Sequence, residues 1–494
     1  MDKTVEKWGM FEASFEGPKE GNPFLEVDFK AIFKHENSLI EINGFYDGDG
    51  IYKIRFMPDI LGHWTFITKS NVQLLNGKTG DFECIKPSEN NHGPVRVKDE
   101  FHFEYADGKP HYSFGTTCYA WIHQSMELQE KTLKTLKESP FNKLRMCVFP
   151  KHYDYNHNEP LLYPFEGSLD NGFDFTKFNT KFFSHLEKRI LDLQILGIEC
   201  DLILFHPYDR WGFSNMGAEN DDRYLKYIVS RLSAFRNIWW ALANEYDIFF
   251  DPITKIPTKS LDDWDRFFHI IQRNDPYKHL RSIHNCRKFY DHGKPWVTHC
   301  SIQRVDTFRT SENTDIWREL YKKPIVIDEC AYEGNINHGW GNITGQEMTR
   351  RFWEGVVRGG YVGHGETYVH PYDILWWSHG GELHGTSPER IGFLRKIVEA
   401  APGPINPISK LATEHYPYWD VTCGAVGEDY YLYYFGFYQP TFRTFNMPKD
   451  KKYKIDIIDT WNMTITELQG TYSGSFRIDM PGKQYIAVRM TRVD

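Results

Sequence analysis

The sequence predicts an α/β protein: a central (β/α)8 TIM barrel with one β-sandwich domain before it and another after it. Three observations lead there. The 494 residues exceed the roughly 250 that one barrel needs. Eight short apolar runs alternate with mostly helical patterns in the middle of the chain. Both ends carry short strands of alternating polarity.

Residues 1–100 read as the first sandwich. FLEVDFKAIFKH, SLIEINGFYDGDG, IYKIRFMPD and GHWTFITKS are punctuated by Gly, Asn and Asp at the spacing of about 8 to 12 residues expected of short antiparallel strands. PSENNHGPVRV closes this part.

Residues 101–402 change rhythm. PHYSFGTTCYAW, NKLRMCVFP, IECDLILFH, NIWWALANEYD, LRSIHNC, WVTHCSIQ, PIVIDEC and GGYVGHGETY are apolar runs, and helical patterns such as MELQEKTLKTLKES and FNTKFFSHLEKRILDLQILG separate them. Only RKFYDHGKP stands between the fifth and sixth runs, too short for a crossover helix. Either that helix is vestigial or the fifth strand lies elsewhere. The proline-rich EAAPGPINPISK marks the passage to residues 403–494, where DYYLYYFGFYQ, YKIDIIDTW, MTITELQG, GSFRIDM and QYIAVRM predict the second sandwich.

Composition removes several function classes. Hydrophobic residues at 40% and charged residues at 25% fit a folded globular protein rather than a disordered one. A net charge of −9 gives no cationic surface for nucleic acid. The start, MDKTVEKWGMFEASFEGPKE, has no apolar h-region, and no run approaches the ~18 apolar residues of a membrane span. A cytoplasmic protein is therefore expected. The eight cysteines form no CxxC pair, and Cys118, Cys147, Cys200, Cys286, Cys300 and Cys330 lie in or beside apolar runs, as reduced core thiols do. Aromatic residues reach 16%, with 15 Trp, which serves either aromatic cores or the flat faces of a sugar cleft.

A TIM barrel builds its site at the carboxyl ends of its strands, so polar residues ending apolar runs are the candidates. They are Arg145 in the second run, His206 in the third, Asn244 and Glu245 in the fourth, His299 in the sixth, Asp328 and Glu329 in the seventh, and His364 and Glu366 in the eighth. Glutamates at the ends of strands four and seven face each other across a barrel mouth. Two such carboxyls suit glycoside hydrolysis, one protonating the leaving oxygen and the other attacking the anomeric carbon. Arg145 would keep Glu329 ionised, and the charge of Glu329 would raise the pKa of Glu245.

This set, Arg145, His206, Asn244–Glu245, His299, Glu329 and a tryptophan beyond strand eight, resembles the clan A glycoside hydrolases. WWALANEYD and KPIVIDEC carry the likeness. The order sandwich, barrel, sandwich is similar to the apiosidase-like glycoside hydrolases. The resemblance implies a retaining (β/α)8 enzyme with Glu245 as acid/base and Glu329 as nucleophile.

Structural readings stand beside these. Arg145 can close an ion pair with a barrel carboxylate, and His206 and His299 can be satisfied core histidines. Asp328 should point away from the cleft if strand alternation persists. Of Trp376 and Trp377 a sugar platform needs one, and Trp121 and Tyr119 after the first run are similar cases. His364, Glu366 and His370 offer metal-binding groups at a spacing that fits no standard ligand motif, while sugar hydroxyls need the same groups. The expected substrate-binding residues are Arg145, His206, Asn244, His299, Glu366, Trp376, Trp377 and Trp121, with no metal or other cofactor. The expected partner is a small glycoside or oligosaccharide cut in exo fashion, with no nucleic acid or membrane, and a homo-oligomer is left open. An endo-acting polysaccharide hydrolase and a non-catalytic carbohydrate-binding protein are the alternatives.

Overall fold

The computed structural model describes residues 4–251, 254–307, 309–369, 375–408 and 421–494. Its centre is one sheet of eight parallel strands: β1 Phe114–Thr117, β2 Lys143–Cys147, β3 Glu199–Phe205, β4 Ile238–Ala243, β5 Arg281–Ser282, β6 Cys300–Gln303, β7 Ile325–Glu329 and β8 Tyr361–His364. Neighbours follow chain order from β1 to β5 and from β6 to β8, with β8 beside β1. A parallel bridge between His284 and Ser301 joins the remaining edges. The sheet is thereby a closed TIM barrel.

The barrel's crossover helices are α1 Met126–Glu138, α2 Thr180–Ile195, α3 Ala218–Leu232, α4 Leu261–Asn274, α5 Thr314–Tyr321 and α6 Gly345–Val357, and α7 Ser387–Glu399 follows β8. Their starts are written locally. Ser260 and Asp263 form a reciprocal capping box at α4, and Asn179 caps α2. The fifth strand lies inside LRSIHNC as expected, and no helix follows it. Its loop instead has its carbonyls satisfied by one ammonium: Lys323 Nζ donates to His292, Lys294 and Val297 at 2.7, 2.6 and 2.6 Å. The first run is shorter than its apolar stretch, because Pro110–His111 pairs with His102–Tyr105 in a separate three-stranded sheet.

That small sheet plugs the amino end of the barrel, where Val95 and Phe103 pack against Trp239, Leu280, Val326 and Tyr361. Above this apolar layer lies a buried ionic one. Lys143 Nζ stands 2.6 Å from both Asp201 and Asp328, and Arg145 stands 3.4 Å from Asp328 and 3.7 Å from Asp201. Two cations and two anions cancel, which is what makes their burial tolerable.

Asp328 corrects the alternation expectation. Ser301 pairs with Val326 but Gln303 pairs with Glu329, so β7 carries one extra residue against β6. The bulge lets adjacent Asp328 and Glu329 both turn into the barrel, Asp328 towards the ionic layer and Glu329 towards the mouth.

The amino-terminal domain is two sheets of five and three strands around Phe11, Phe33, Phe56, Trp64, Phe66 and Phe82, with Phe33 and Phe56 stacked at 4.1 Å. It docks on the barrel through Arg55, whose guanidinium meets Glu187 of α2 at 2.7 and 3.0 Å. The carboxyl-terminal domain pairs a six-stranded sheet with a two-stranded one, and its Tyr434 stacks on Trp353 of α6 at 5.3 Å. No disulfide joins any described cysteine, and no described helix is long and apolar enough to cross a membrane.

Candidate active site

Glu245 directly follows β4 and Asn244, and its backbone is left-handed at φ 54°. A non-glycine residue in that region is strained, and the surroundings must hold it there. They do so through Asp247, whose carboxylate accepts the N–H groups of Cys286, Arg287 and Lys288 at 2.6, 2.8 and 2.8 Å and ties the β4 end to the β5 loop. Glu329 sits on the β7 bulge. Each of the two residues is only 6% exposed.

Two tyrosines orient these carboxyls: the Tyr119 hydroxyl donates to Glu329 and the Tyr208 hydroxyl to Glu245. The Tyr119 oxygen lies 3.0 Å from Asn244 Oδ1, which accepts from Arg145 at 2.8 Å. Arg145 thus fixes the Asn244 amide by its carbonyl end. Nε2 of His284 stands 3.3 Å from Glu329 Oε1. Because Ser301 gives its hydroxyl proton to Asp328, it receives the His284 Nδ1 proton at 3.0 Å. His284 is therefore a link from the ionic layer to Glu329. With its amide oriented to donate, Gln303 reaches Glu245 Oε1 at 3.2 Å, His284 Nε2 at 3.3 Å and the Asn285 carbonyl at 3.0 Å.

The two carboxyls are driven apart electrostatically. Burial raises the Glu245 pKa, and the charge of Glu329 raises it further. Burial would raise Glu329 as well, but the His284 bond and charge, the Arg145 charge and the Tyr119 hydroxyl together outweigh it and hold this carboxyl low. One carboxyl is pushed towards its protonated form and the other towards its ionised form.

Over this pair folds the loop after β2. Its Lys151 is 2% exposed, with the ammonium 3.8 Å from the Tyr119 ring centre, 4.4 Å from Tyr153, 4.3 Å from Tyr208 and 5.3 Å from Trp377. Asn156 donates to the Lys151 carbonyl at 2.6 Å, and the Tyr153 hydroxyl donates to Ser378 at 2.6 Å, fastening this loop to the one after β8.

Of the residues expected from sequence, Tyr119, Arg145, Asn244, Glu245, Glu329 and Trp377 come together here. The others do not. His206, 1% exposed, donates from Nε2 to the Phe149 carbonyl at 3.1 Å and supports the Lys151 loop from beneath. His299 precedes β6, so it lies at the amino end among Phe103 and Trp239. Trp376 donates to Thr116 at 2.9 Å and Trp121 to the Met146 sulfur at 3.2 Å, both as core side chains. Trp377 is the tryptophan at the cleft, edge-on to Tyr119 at 5.7 Å. Glu366 accepts the backbone N–H groups of His384 and Gly385, so its carboxylate holds a loop. His364 bonds Thr116 at 3.0 Å and stacks on Phe141, while His370 lies outside the described residues. Cys286 is half-buried beside Glu245 rather than in the core.

Tyr208, His284, Gln303 and Lys151 were not among the expected residues. His284 ends an apolar run as the other candidates do, so the same rule points to it. Lys151 and Tyr208 lie in loops just beyond runs two and three, where no sequence period marks them.

Residues 97–391 match the model of the apiosidase-like catalytic domain. Residues 4–71 and 419–491 match two domains of unknown function, DUF5060 and DUF5605. Among solved structures, a Bacteroides vulgatus protein provisionally classed as a glycoside hydrolase is 41% identical over 100% of both chains, with a TM-score of 0.92. A family 5 glycoside hydrolase from the same bacterium is 16% identical, covers 81% of this chain and 94% of its own, and aligns with a TM-score of 0.62, a likeness of fold. No curated protein matches. The catalytic-domain match spans more than half of the sequence and includes every carboxyl-end strand residue described above, and the chain belongs to the apiosidase-like catalytic domain family.

Proposed function

We propose that this protein is a retaining glycoside hydrolase that acts on small glycosides or oligosaccharides from a chain end. Glu329 attacks the anomeric carbon while Glu245 gives its proton to the leaving oxygen. Glu245, now ionised, then takes a proton from the water that releases the sugar from Glu329. The observation that carries this reading is a pair of buried carboxyls at the carboxyl end of the barrel with unlike partners, Glu245 bonded by Tyr208 and Glu329 by Tyr119 with His284 at 3.3 Å, which raise one pKa and lower the other. An ionised, aimed carboxylate beside a raised one serves either stereochemical outcome, and the retaining one is supported by the clan A pattern of Asn244–Glu245 after β4 and Glu329 ending β7.

The other residues have supporting parts. Arg145 fixes Asn244, whose amide nitrogen is left for a sugar hydroxyl. Trp377 offers a ring wall. End-on action is supported by the fastening of Tyr153 to Ser378, which walls one side of the mouth.

The test is stereochemical. With an aryl glycoside found by screening pyranosides and furanosides, apiosides included, proton NMR during the first minutes of hydrolysis should show a product with the substrate's anomeric configuration. An inverted first product would mean that the second carboxyl activates water, and the double-displacement reading would fail.

A further inference from the structure

The Lys151 ammonium is a buried cation with no assigned task. It has three N–H donors, yet Lys151 Nζ makes no hydrogen bond and no ion pair within 4.0 Å among the described residues. Burial lowers its pKa, while the charges of Glu245 and Glu329 act to keep it protonated. An ammonium left this way is costly unless something else satisfies it. The four aromatic faces supply part of that, as cation–π contacts at 3.8 to 5.3 Å. They supply no acceptor atoms.

The placement says where the acceptors come from. Tyr119 and Tyr208 each present a ring face to the ammonium and a hydroxyl to a carboxyl, Glu329 and Glu245 respectively. The same two rings therefore fix Lys151 relative to both reacting groups. Tyr153 and Trp377 close the box on the far side. On the glycosidase reading, the scissile sugar sits against these two carboxyls.

Resting on the glycosidase reading, we propose that Lys151 is a specificity-determining residue of this site, its ammonium donating to a hydroxyl of the sugar seated between Glu245 and Glu329. Lys143 and Arg145 stand against Asp201 and Asp328, and His284 stands 3.3 Å from Glu329, so Lys151 is the cation near both carboxyls whose head group has no acceptor atom among the described residues. A sugar hydroxyl brings that acceptor. The charge sum is kept through the covalent step, because Glu245 becomes ionised as Glu329 loses its charge.

The experiment is a double-mutant cycle between the enzyme and its substrate. Wild type, Lys151→Met and Lys151→Arg are assayed on an aryl glycoside that wild type hydrolyses and on its monodeoxy analogues. Lys151→Met should lose about 10- to 150-fold in kcat/KM on the parent sugar, the range of a charged hydrogen bond. One monodeoxy analogue should lose as much with wild type and little further with Lys151→Met. Lys151→Arg should recover part of the rate. The melting temperature of Lys151→Met should equal or exceed that of wild type, since an unpaired buried charge has gone, which separates recognition from misfolding. The proposal is overturned if every deoxy analogue loses equally in both proteins. If wild type neither hydrolyses nor binds by calorimetry any sugar of the panel, the glycosidase reading fails first and takes this one with it.

Discussion

The two ends of the barrel are made from similar residue types and do opposite things with them. At the amino end His102, His111 and His299 are buried among rings, and burial lowers them to about 4, about 3 and about 3, so they stay neutral. At the carboxyl end His284 stands 3.3 Å from Glu329. Between the ends the Lys143, Arg145, Asp201 and Asp328 layer separates an apolar plug from a reactive mouth. Position along the strand, more than residue type, decides whether a polar side chain is core or site.

The sharpest way to break the comparison is to remove the proposed nucleophile from the carboxyl end. Glu329→Gln keeps the size of the side chain and its bond to Tyr119, so the protein should fold. Turnover of any active aryl glycoside should fall by roughly four orders of magnitude or more, because a covalent step is lost. A loss below tenfold in kcat would remove Glu329 from the mechanism.

Glu245→Ala comes next, at about 10²- to 10⁴-fold, the usual worth of general acid–base assistance. The loss should be small on a dinitrophenyl glycoside, whose leaving group needs no proton, and azide should restore part of the rate. The same variant tests the electrostatics. Wild type needs Glu329 ionised and Glu245 protonated, so its rate should rise with pH through the lowered Glu329 pKa and fall through the raised Glu245 pKa. In Glu245→Ala the alkaline fall should vanish and the acid limb should remain. An unchanged bell would assign the alkaline limb to another group.

The sequence made the barrel legible because its parallel strands are buried on both faces and read as unbroken apolar runs. Glu245, Glu329, Arg145 and Asn244 were legible for the same reason, each lying inside or at the end of such a run. His299 was misplaced because WVTHCSIQ does not show where the strand starts, and the strand begins one residue after the histidine. Asp328 was misplaced because a bulge cannot be read from polarity alone. Trp121 and Trp376 look like Trp377 in sequence, and only packing tells which ring reaches the cleft. Lys151 was invisible because a loop lysine is ordinarily solvated, and nothing local announces four aromatic walls brought from four different loops.

The ionic layer between the two ends offers a stability test of about 3 to 5 kcal/mol. Asp328→Ala would strand Lys143 and Arg145 with one carboxylate between them, and breaking a buried pair on one side costs about that much. Urea unfolding should show a lowered midpoint. It should also show weaker activity at unchanged substrate affinity, since Ser301 and His284 lose the acceptor that orients them. A loss under 1 kcal/mol would mean that the layer relaxes or hydrates around the gap.

The smallest expected effect tests the comparison most directly, because it sets one histidine against another on adjacent strands. His284→Leu removes a group beside Glu329 and should cost about 10²-fold in kcat/KM, as loss of one aimed electrostatic partner does. It should also move the acid limb of the rate profile upward, since His284 holds the Glu329 carboxyl low. His299→Leu removes an imidazole of similar bulk from the apolar plug, where Nδ1 meets Thr298 at 3.1 Å and Nε2 has no partner. The apolar side chain suits that pocket at least as well, so stability should change by less than about 1.5 kcal/mol. The rate should stay within about twofold, with the acid limb where it was. If His299→Leu slowed catalysis as much as His284→Leu does, the ionic layer would be transmitting the state of the plug to the mouth, and the two ends would have to be treated as one electrostatic unit.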